Sequence, residues 1–183
     1  MIITITGKPC SGKGTVSKIF SKKYKFEYVC TGDMFRAIAN KLGFSSVLEF
    51  QQNGDVGIAD KMVDKQTADL GKKRPEDNII VDSRLAWHFI PNSFKVFIDI
   101  DWETAGERLL ESNRANEKAN SLDNAIELLK TRWQVENERY SRIYNTNNYN
   151  LCNYDLVISS KDKNPEQIAK NIYKEYIKFI KNK

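Results

Sequence analysis

The 183 residues carry 29 Lys and Arg against 24 Asp and Glu, a net charge of +5, and 40% of them are hydrophobic. That suits one domain with a sizeable core and excludes a disordered chain. No apolar run approaches the roughly 18 residues of a membrane-crossing helix, and residues 1–7 lack the basic and long apolar regions of a leader, so a cytoplasmic protein is expected.

Residues 2–6 are β-branched and read as a strand. Residues 13–24 carry Val16, Ile19, Phe20 and Tyr24 at helical spacing. A short strand fits 26–30 and a helix 32–42. Ser46 and Glu49 suit a capping box for another short helix. Ile58, Met62, Thr67 and Leu70 predict the apolar face of a further helix. Strands follow at 78–82 and 94–100, then helices over 102–113 and 122–145. Residues 145–153 hold five asparagines and read as a loop. The last strand is 154–159. Pro165 starts a helix whose apolar face is Ile168, Ile172, Tyr176, Ile177 and Ile180. Five strands alternating with helices predict an α/β fold, a five-stranded parallel sheet flanked by helices in a single domain, 1–183. Its ligands belong at the carboxyl ends of the strands.

After the first strand stands Gly7-Lys8-Pro9-Cys10-Ser11-Gly12-Lys13-Gly14-Thr15, which matches G-x-x-x-x-G-K. Glycines let successive N–H groups curl inward onto phosphate oxygens, the following helix adds partial positive charge, and Lys13 supplies a cation. Gly14 occupies the place where many such loops put a hydroxyl for magnesium, leaving Thr15 near the phosphates. Cys10 is either a small tolerated side chain or a redox group.

Candidates follow the next strand ends. Thr31 and Arg36 can grip a second nucleotide, Arg36 by forking onto a monophosphate, with Asp33 between them; Thr31 also suits a helix N-cap. Asp82 ends a buried strand and suits a water-mediated magnesium contact, and Arg84 reaches the same pocket; the plain alternative is an Asp82–Arg84 surface pair. Residues 112–124 are polar and suit a mobile lid bearing Arg114. Arg132, Glu136 and Arg139 fall within about 60° on the long helix, about 80° from its stripe of Leu122, Ile126, Leu129, Trp133, Tyr140 and Tyr144. They border the buried face, where a cleft edge would lie, unless they form an exposed ion-pair ladder.

The three cysteines, Cys10, Cys30 and Cys152, suit neither a disulfide framework nor a zinc site. One histidine, His88, cannot build a multi-histidine metal site. The motifs D-x-x-G and N-K-x-D of regulatory GTPases do not occur. The positive charge suits an anionic partner without choosing among nucleic acid, lipid and nucleotide phosphates. No basic stripe interleaves with aromatics, which argues against nucleic acid.

Together the phosphate loop, Thr31-Gly32-Asp33-Met34-Phe35-Arg36, Val81-Asp82-Ser83-Arg84-Leu85-Ala86-Trp87 and Tyr154-Asp155-Leu156-Val157-Ile158 resemble the cytidylate kinase family in its short form. Arg132-x-x-x-Glu136-x-x-Arg139 is similar to that family's R-x-x-x-D-x-x-R. Three positions depart from the pattern: Ser83 for glycine, Asn113 before Arg114 where a second charge is common, and Glu136 for aspartate. The resemblance implies a P-loop kinase core with an acceptor-binding segment over about 31–73, transferring the γ-phosphoryl group of ATP, with magnesium, to CMP or dCMP. It implies ATP at Gly7–Thr15 and Arg108, and an acceptor at Thr31, Asp33, Arg36, Arg84, Arg132, Glu136 and Arg139. Lys13, Arg84, Arg114, Arg132 and Arg139 would be catalytic, and Asp82 and Thr15 would serve the metal. A monomer with no membrane partner is expected. Kinases of another monophosphate or metabolite, and a nucleotide-binding protein without turnover, remain alternatives.

Overall fold

A computed structural model describes residues 1–45, 49–50, 53–112 and 119–182. The elements are β1 (Ile3–Gly7), α1 (Lys13–Tyr24), β2 (Glu27–Cys30), α2 (Thr31–Lys41), α3 (Val56–Lys73), β3 (Ile79–Asp82), α4 (Ala86–Phe89), β4 (Phe94–Asp99), α5 (Trp102–Glu111), α6 (Leu122–Tyr144), a 3-10 turn (Leu151–Asn153), β5 (Leu156–Ser159) and α7 (Pro165–Lys181). The strands form one parallel sheet in the order β2-β3-β1-β4-β5. The strand order reverses across β1, so a crevice opens beyond the carboxyl ends of β1, β3 and β4.

All five β1 residues are buried, as a central parallel strand requires. Ile3 and Ile5 pack with Phe20 of α1, Ile80, Val96 and Ile172 of α7, while Ile2 joins Ile79, Val81, Ala86 and Ile90. The two buried threonines are satisfied: Thr4 Oγ1 lies 3.1 Å from Ser93 Oγ, and Thr6 Oγ1 donates to the Ser83 carbonyl at 3.1 Å. Four α-helix starts among the described residues have side-chain caps, Asp55 of α3 accepting from Ile58 N at 3.2 Å. Asp101 accepts from Thr104 N at 2.9 Å, a bond that chiefly holds its carboxyl down to about 2. Ser121 caps α6, and Asn164 and Gln167 form a capping box around Pro165.

A smaller cluster, Ile38, Ala39, Phe50, Ala59 and Val63, joins α2 to α3 around a core of its own. Here the structure corrects half of the sequence reading. Thr67 is buried and Leu70 packs beside Ile79 and Val81 as expected, but Ile58 and Met62 are 48% and 41% exposed, whereas Ala59 and Val63 are buried. The helix packs with its smaller side chains, and the polar residues between them line a cleft. The sequence also misses α4 and the 3-10 turn. Ser46 of the proposed capping box lies outside the described residues; Glu49 accepts instead from the backbone and hydroxyl of Ser45. Ile180, expected on the apolar face of α7, is 37% exposed near the helix end.

Residues 145–153 are a loop, but a packed one. Asn145 closes α6 in the left-handed region. Asn148 is fully buried; its Oδ1 accepts from Trp87 Nε1 at 2.7 Å, and its carbonyl accepts from the Tyr154 hydroxyl at 2.6 Å.

Candidate active site

The strand β1 delivers the phosphate loop into the crevice. Gly7 must be glycine there: a Cβ would run into the Ile98 carbonyl oxygen and stand 2.8 Å from Ser11 Oγ. The loop turns through two left-handed residues, Cys10 at φ 60° and Gly12 at φ 80°. Cys10 has no glycine freedom, and its side chain packs beside Ile100 and Leu109. Gly12 then leads into α1, whose first turn carries no acidic residue. An anion therefore meets free N–H groups and the positive helix end.

The register Ile5↔Asp82 sets Asp82 beside this loop. Asp82 is 4% exposed, and its Oδ1 lies 2.5 Å from Lys13 Nζ. Its Oδ2 accepts from the Tyr28 hydroxyl at 3.2 Å; burial, with Asp82 beside it, pushes that hydroxyl far above its ordinary range, so it stays a donor. Asp82 and Arg84 do not form the surface pair that is the plain alternative to their pocket roles. Arg84 turns the other way, donating to the Gly7 carbonyl at 2.8 Å and pairing with Glu136 Oε2 at 3.0 Å.

Two clefts meet at this point. One, of about 490 Å³, is lined by residues Lys8 to Thr15 with Asp82, Arg84 and Arg132. The other, of about 300 Å³, lies between α2, α3 and α6. They share a wall formed by Thr31, Gly32, Arg36, Ser83 and Arg84. Asp60 and Asp64 of α3, which sequence reasoning missed, line the second cleft and not the first. Asp60 pairs with Arg139, and Asp64 accepts from the Tyr144 hydroxyl. Burial raises the Asp64 carboxyl above its ordinary range, and the Tyr144 bond opposes that rise. The hydroxyl of Tyr140, also in this wall, is pushed up to about 12 by burial and then by Glu136. The one available signal for the two acids was their spacing of four residues on a helix, which reads equally as a solvated face.

On α6, Arg132 lines the loop cleft and Arg139 the second cleft. Glu136 lines neither. It bridges Arg84 and Arg132, taking Arg132 Nε at 3.1 Å, and accepts from the Tyr149 hydroxyl at 3.3 Å. Tyr149 belongs to the asparagine-rich loop and stacks on Trp133, with ring centroids 3.2 Å apart. In this arrangement Glu136 holds two arginines. Asp33 is exposed, lines neither cleft and pairs with Arg36 one turn on. Thr31 is the first residue of α2, Cys30 holding the N-cap position, and its side chain is left to the clefts.

Lys8 is tied to Asp99 at 2.8 Å and the Ile100 carbonyl at 3.0 Å. Arg108 bridges the Cys10 carbonyl at 3.3 Å and the Ser160 carbonyl at 2.9 Å, locking the loop to the end of β5. Arg114 and residues 113–118 of the expected lid lie outside the described residues, and its last three, 122–124, belong to α6. No group of three or more His, Cys, Asp or Glu able to hold a metal occurs among the described residues. Asp82 and Thr15 in the loop cleft instead fit a hydrated magnesium ion, which takes one or two protein oxygens with phosphates and water. Among the described residues no helix is long and apolar enough to cross a membrane.

The comparisons with known proteins agree with this geometry. The model of the cytidylate kinase-like family matches residues 2–162. The chain is 33% identical over 173 residues to the cytidylate kinase of Methanobrevibacter smithii, covering 94% of this chain and 96% of that one. It is 29% identical over 178 residues to an S-adenosylmethionine-dependent nucleotide dehydratase of Lacinutrix mariniflava, covering 96% of this chain and 36% of that longer protein, so that likeness concerns one segment of it. Among solved structures, shikimate kinase from Aquifex aeolicus superposes with a TM-score of 0.61 at 22% identity over 96% of each chain, a likeness of fold.

Proposed function

The chain belongs to the cytidylate kinase-like family, and from that premise we propose that it transfers the γ-phosphoryl group of ATP to CMP or dCMP, with the two adjoining clefts as donor and acceptor sites. The observation that carries this reading is the shared wall, where Thr31, Arg36 and Arg84 face both the phosphate loop and the second cleft. A phosphate held there from either side meets the other at one place.

The reaction needs no histidine base. An oxygen of the acceptor monophosphate is already anionic; it forms the new bond to phosphorus as the bond to the β,γ-bridging oxygen breaks, and ADP leaves. Catalysis is then positioning and neutralisation of spread charge. Lys13 exchanges its Asp82 contact for the transferred phosphate. Arg84 and Arg132, braced by Glu136, hold the reacting groups with little reorganisation. Arg36 is held by Asp33 at the mouth. Magnesium supplies, when bound, neutralisation of phosphate charge, with Asp82 through water and Thr15 as its protein ligands. A cytoplasmic location, where ATP and monophosphates are available, goes with this reading.

The test is ADP formation from Mg-ATP with CMP, dCMP, UMP, AMP, GMP and dTMP offered separately. Turnover highest with CMP or dCMP is the expected result. Tight ATP binding with no acceptor consumed would leave a nucleotide-binding protein and end the proposal.

A further inference from the structure

The second cleft has two chemically unlike parts. Arg36 and Arg84 belong to the wall it shares with the phosphate loop, and Asp60 and Asp64 line it outside that wall. Arg139 lines it too but is taken up by Asp60. An acceptor monophosphate therefore lies with its phosphate to Arg36 and Arg84 and its base to the acids. In the same cleft Phe35, Val63, Phe89 and Tyr144 offer apolar surface to a flat ring, with Phe89 and Tyr144 edge-on at 5.5 Å.

The acids are not placed there as free charges. Arg139 and Tyr144, both on α6, hold one each from the side. A carboxylate accepts about four hydrogen bonds, so these contacts leave acceptor capacity on both. Side chains four apart on a helix are neighbours at about 5–6 Å. The result is a pair of fixed acceptors in a partly dry pocket, and the base edge that meets them must donate. Cytosine presents an exocyclic amino group with two hydrogens; uracil presents a carbonyl oxygen at the same place. We propose that Asp60 and Asp64 select the base, accepting the exocyclic amino group of an aminopyrimidine and rejecting an oxopyrimidine by opposing its oxygen with carboxylate. This rests on the donor and acceptor assignment above and names the residues that choose the acceptor.

The competing role for the same residues is a staple between α3 and α6. A staple alters stability and both substrates alike; a selector alters their ratio. The experiment is kcat/KM for CMP and for UMP at saturating Mg-ATP, in the unmodified protein and in Asp64→Asn and Asp60→Asn, with thermal unfolding of each. Asparagine keeps the shape and still accepts from Tyr144, but its amide can donate to a uracil oxygen. The expected result is a fall of about 10–100-fold in the CMP:UMP ratio for Asp64→Asn, corresponding to one charged hydrogen bond, with UMP turnover gained or kept. A ratio held within twofold while both substrates lose activity together would show a staple and overturn the proposal. If Asp64→Asn does not fold, the same ratio in Asp60→Asn decides. An unmodified protein that prefers CMP while both variants keep that preference defeats base selection alone; one that turns over neither nucleotide defeats the kinase assignment and base selection with it.

Discussion

Lys13 and Asp82 are a charge pair with two employers. In the described state each neutralises the other, at 2.5 Å and with Asp82 buried. Lys13 must release Asp82 to meet a phosphate. Removing Lys13 therefore has two effects that can be separated. Lys13→Ala should lower kcat by about 10²–10³-fold or more, the loss of one preorganised donor at the transferred group. It should also destabilise the fold by up to about 3 kcal/mol, because Asp82 is left with the Tyr28 hydroxyl alone among the partners described above. Adding Asp82→Asn should restore most of the melting temperature and none of the rate. Denaturant unfolding and initial rates on the three proteins check this; a near-normal rate in Lys13→Ala would sink the mechanism. The sequence motif located Lys13 through its spacing from Gly7. It could not show that Lys13 pairs with Asp82, since that contact spans 69 residues and depends on the β1–β3 register.

At the level of elements, legibility followed locality. The strands and long helices were readable because alternation and 3.6-residue periodicity are local, and Pro165 marks a start by its own chemistry. The first half of the α3 face was misread because large apolar residues dominate a periodicity count, while there the helix buries Ala59 and Val63 and turns Asp60 and Asp64 to the cleft; Thr67 and Leu70 pack inward as expected. The asparagine-rich segment was readable as a loop but not as a packed one. Its anchor is Asn148, which satisfies the indole of Trp87, 61 residues away, and the hydroxyl of Tyr154, just past the loop. Asn148→Ala should cost about 2–3 kcal/mol in denaturant unfolding, since a buried Trp87 N–H loses its acceptor. Asn147→Ala at the exposed neighbouring position should cost under about 1 kcal/mol. Equal costs at the two positions would show that the loop is not anchored through Asn148. The anchor matters to the site because the same loop carries Tyr149 onto Trp133 and Glu136.

For the whole molecule, the sheet's strand order is what brings two phosphate sites to one wall. The loop after β1 lies between the ends of β3 and β4, and α6 crosses from one cleft to the other with Arg132 at the first and Arg139 at the second. Arg84 belongs to both: it grips the Gly7 carbonyl on the donor side and, through Glu136, the helix that closes the acceptor side. Arg139 belongs to one. This geometry predicts different linkage for the two arginines. Each nucleotide that binds the folded state stabilises it by RT ln(1 + L/Kd), with L its free concentration, which raises the melting temperature with the logarithm of its affinity. Measured as shifts from each variant's own ligand-free value, Arg139→Ala should lose CMP protection and retain ATP protection. Arg84→Ala should weaken both, by about 10-fold or more in apparent affinity for each, the worth of a charge-assisted hydrogen bond. A donor and an acceptor site that merely share a chain would give two single losses. Loss of CMP protection alone in Arg84→Ala would mean that the wall is not common and that transfer requires a rearrangement to bring the phosphates together.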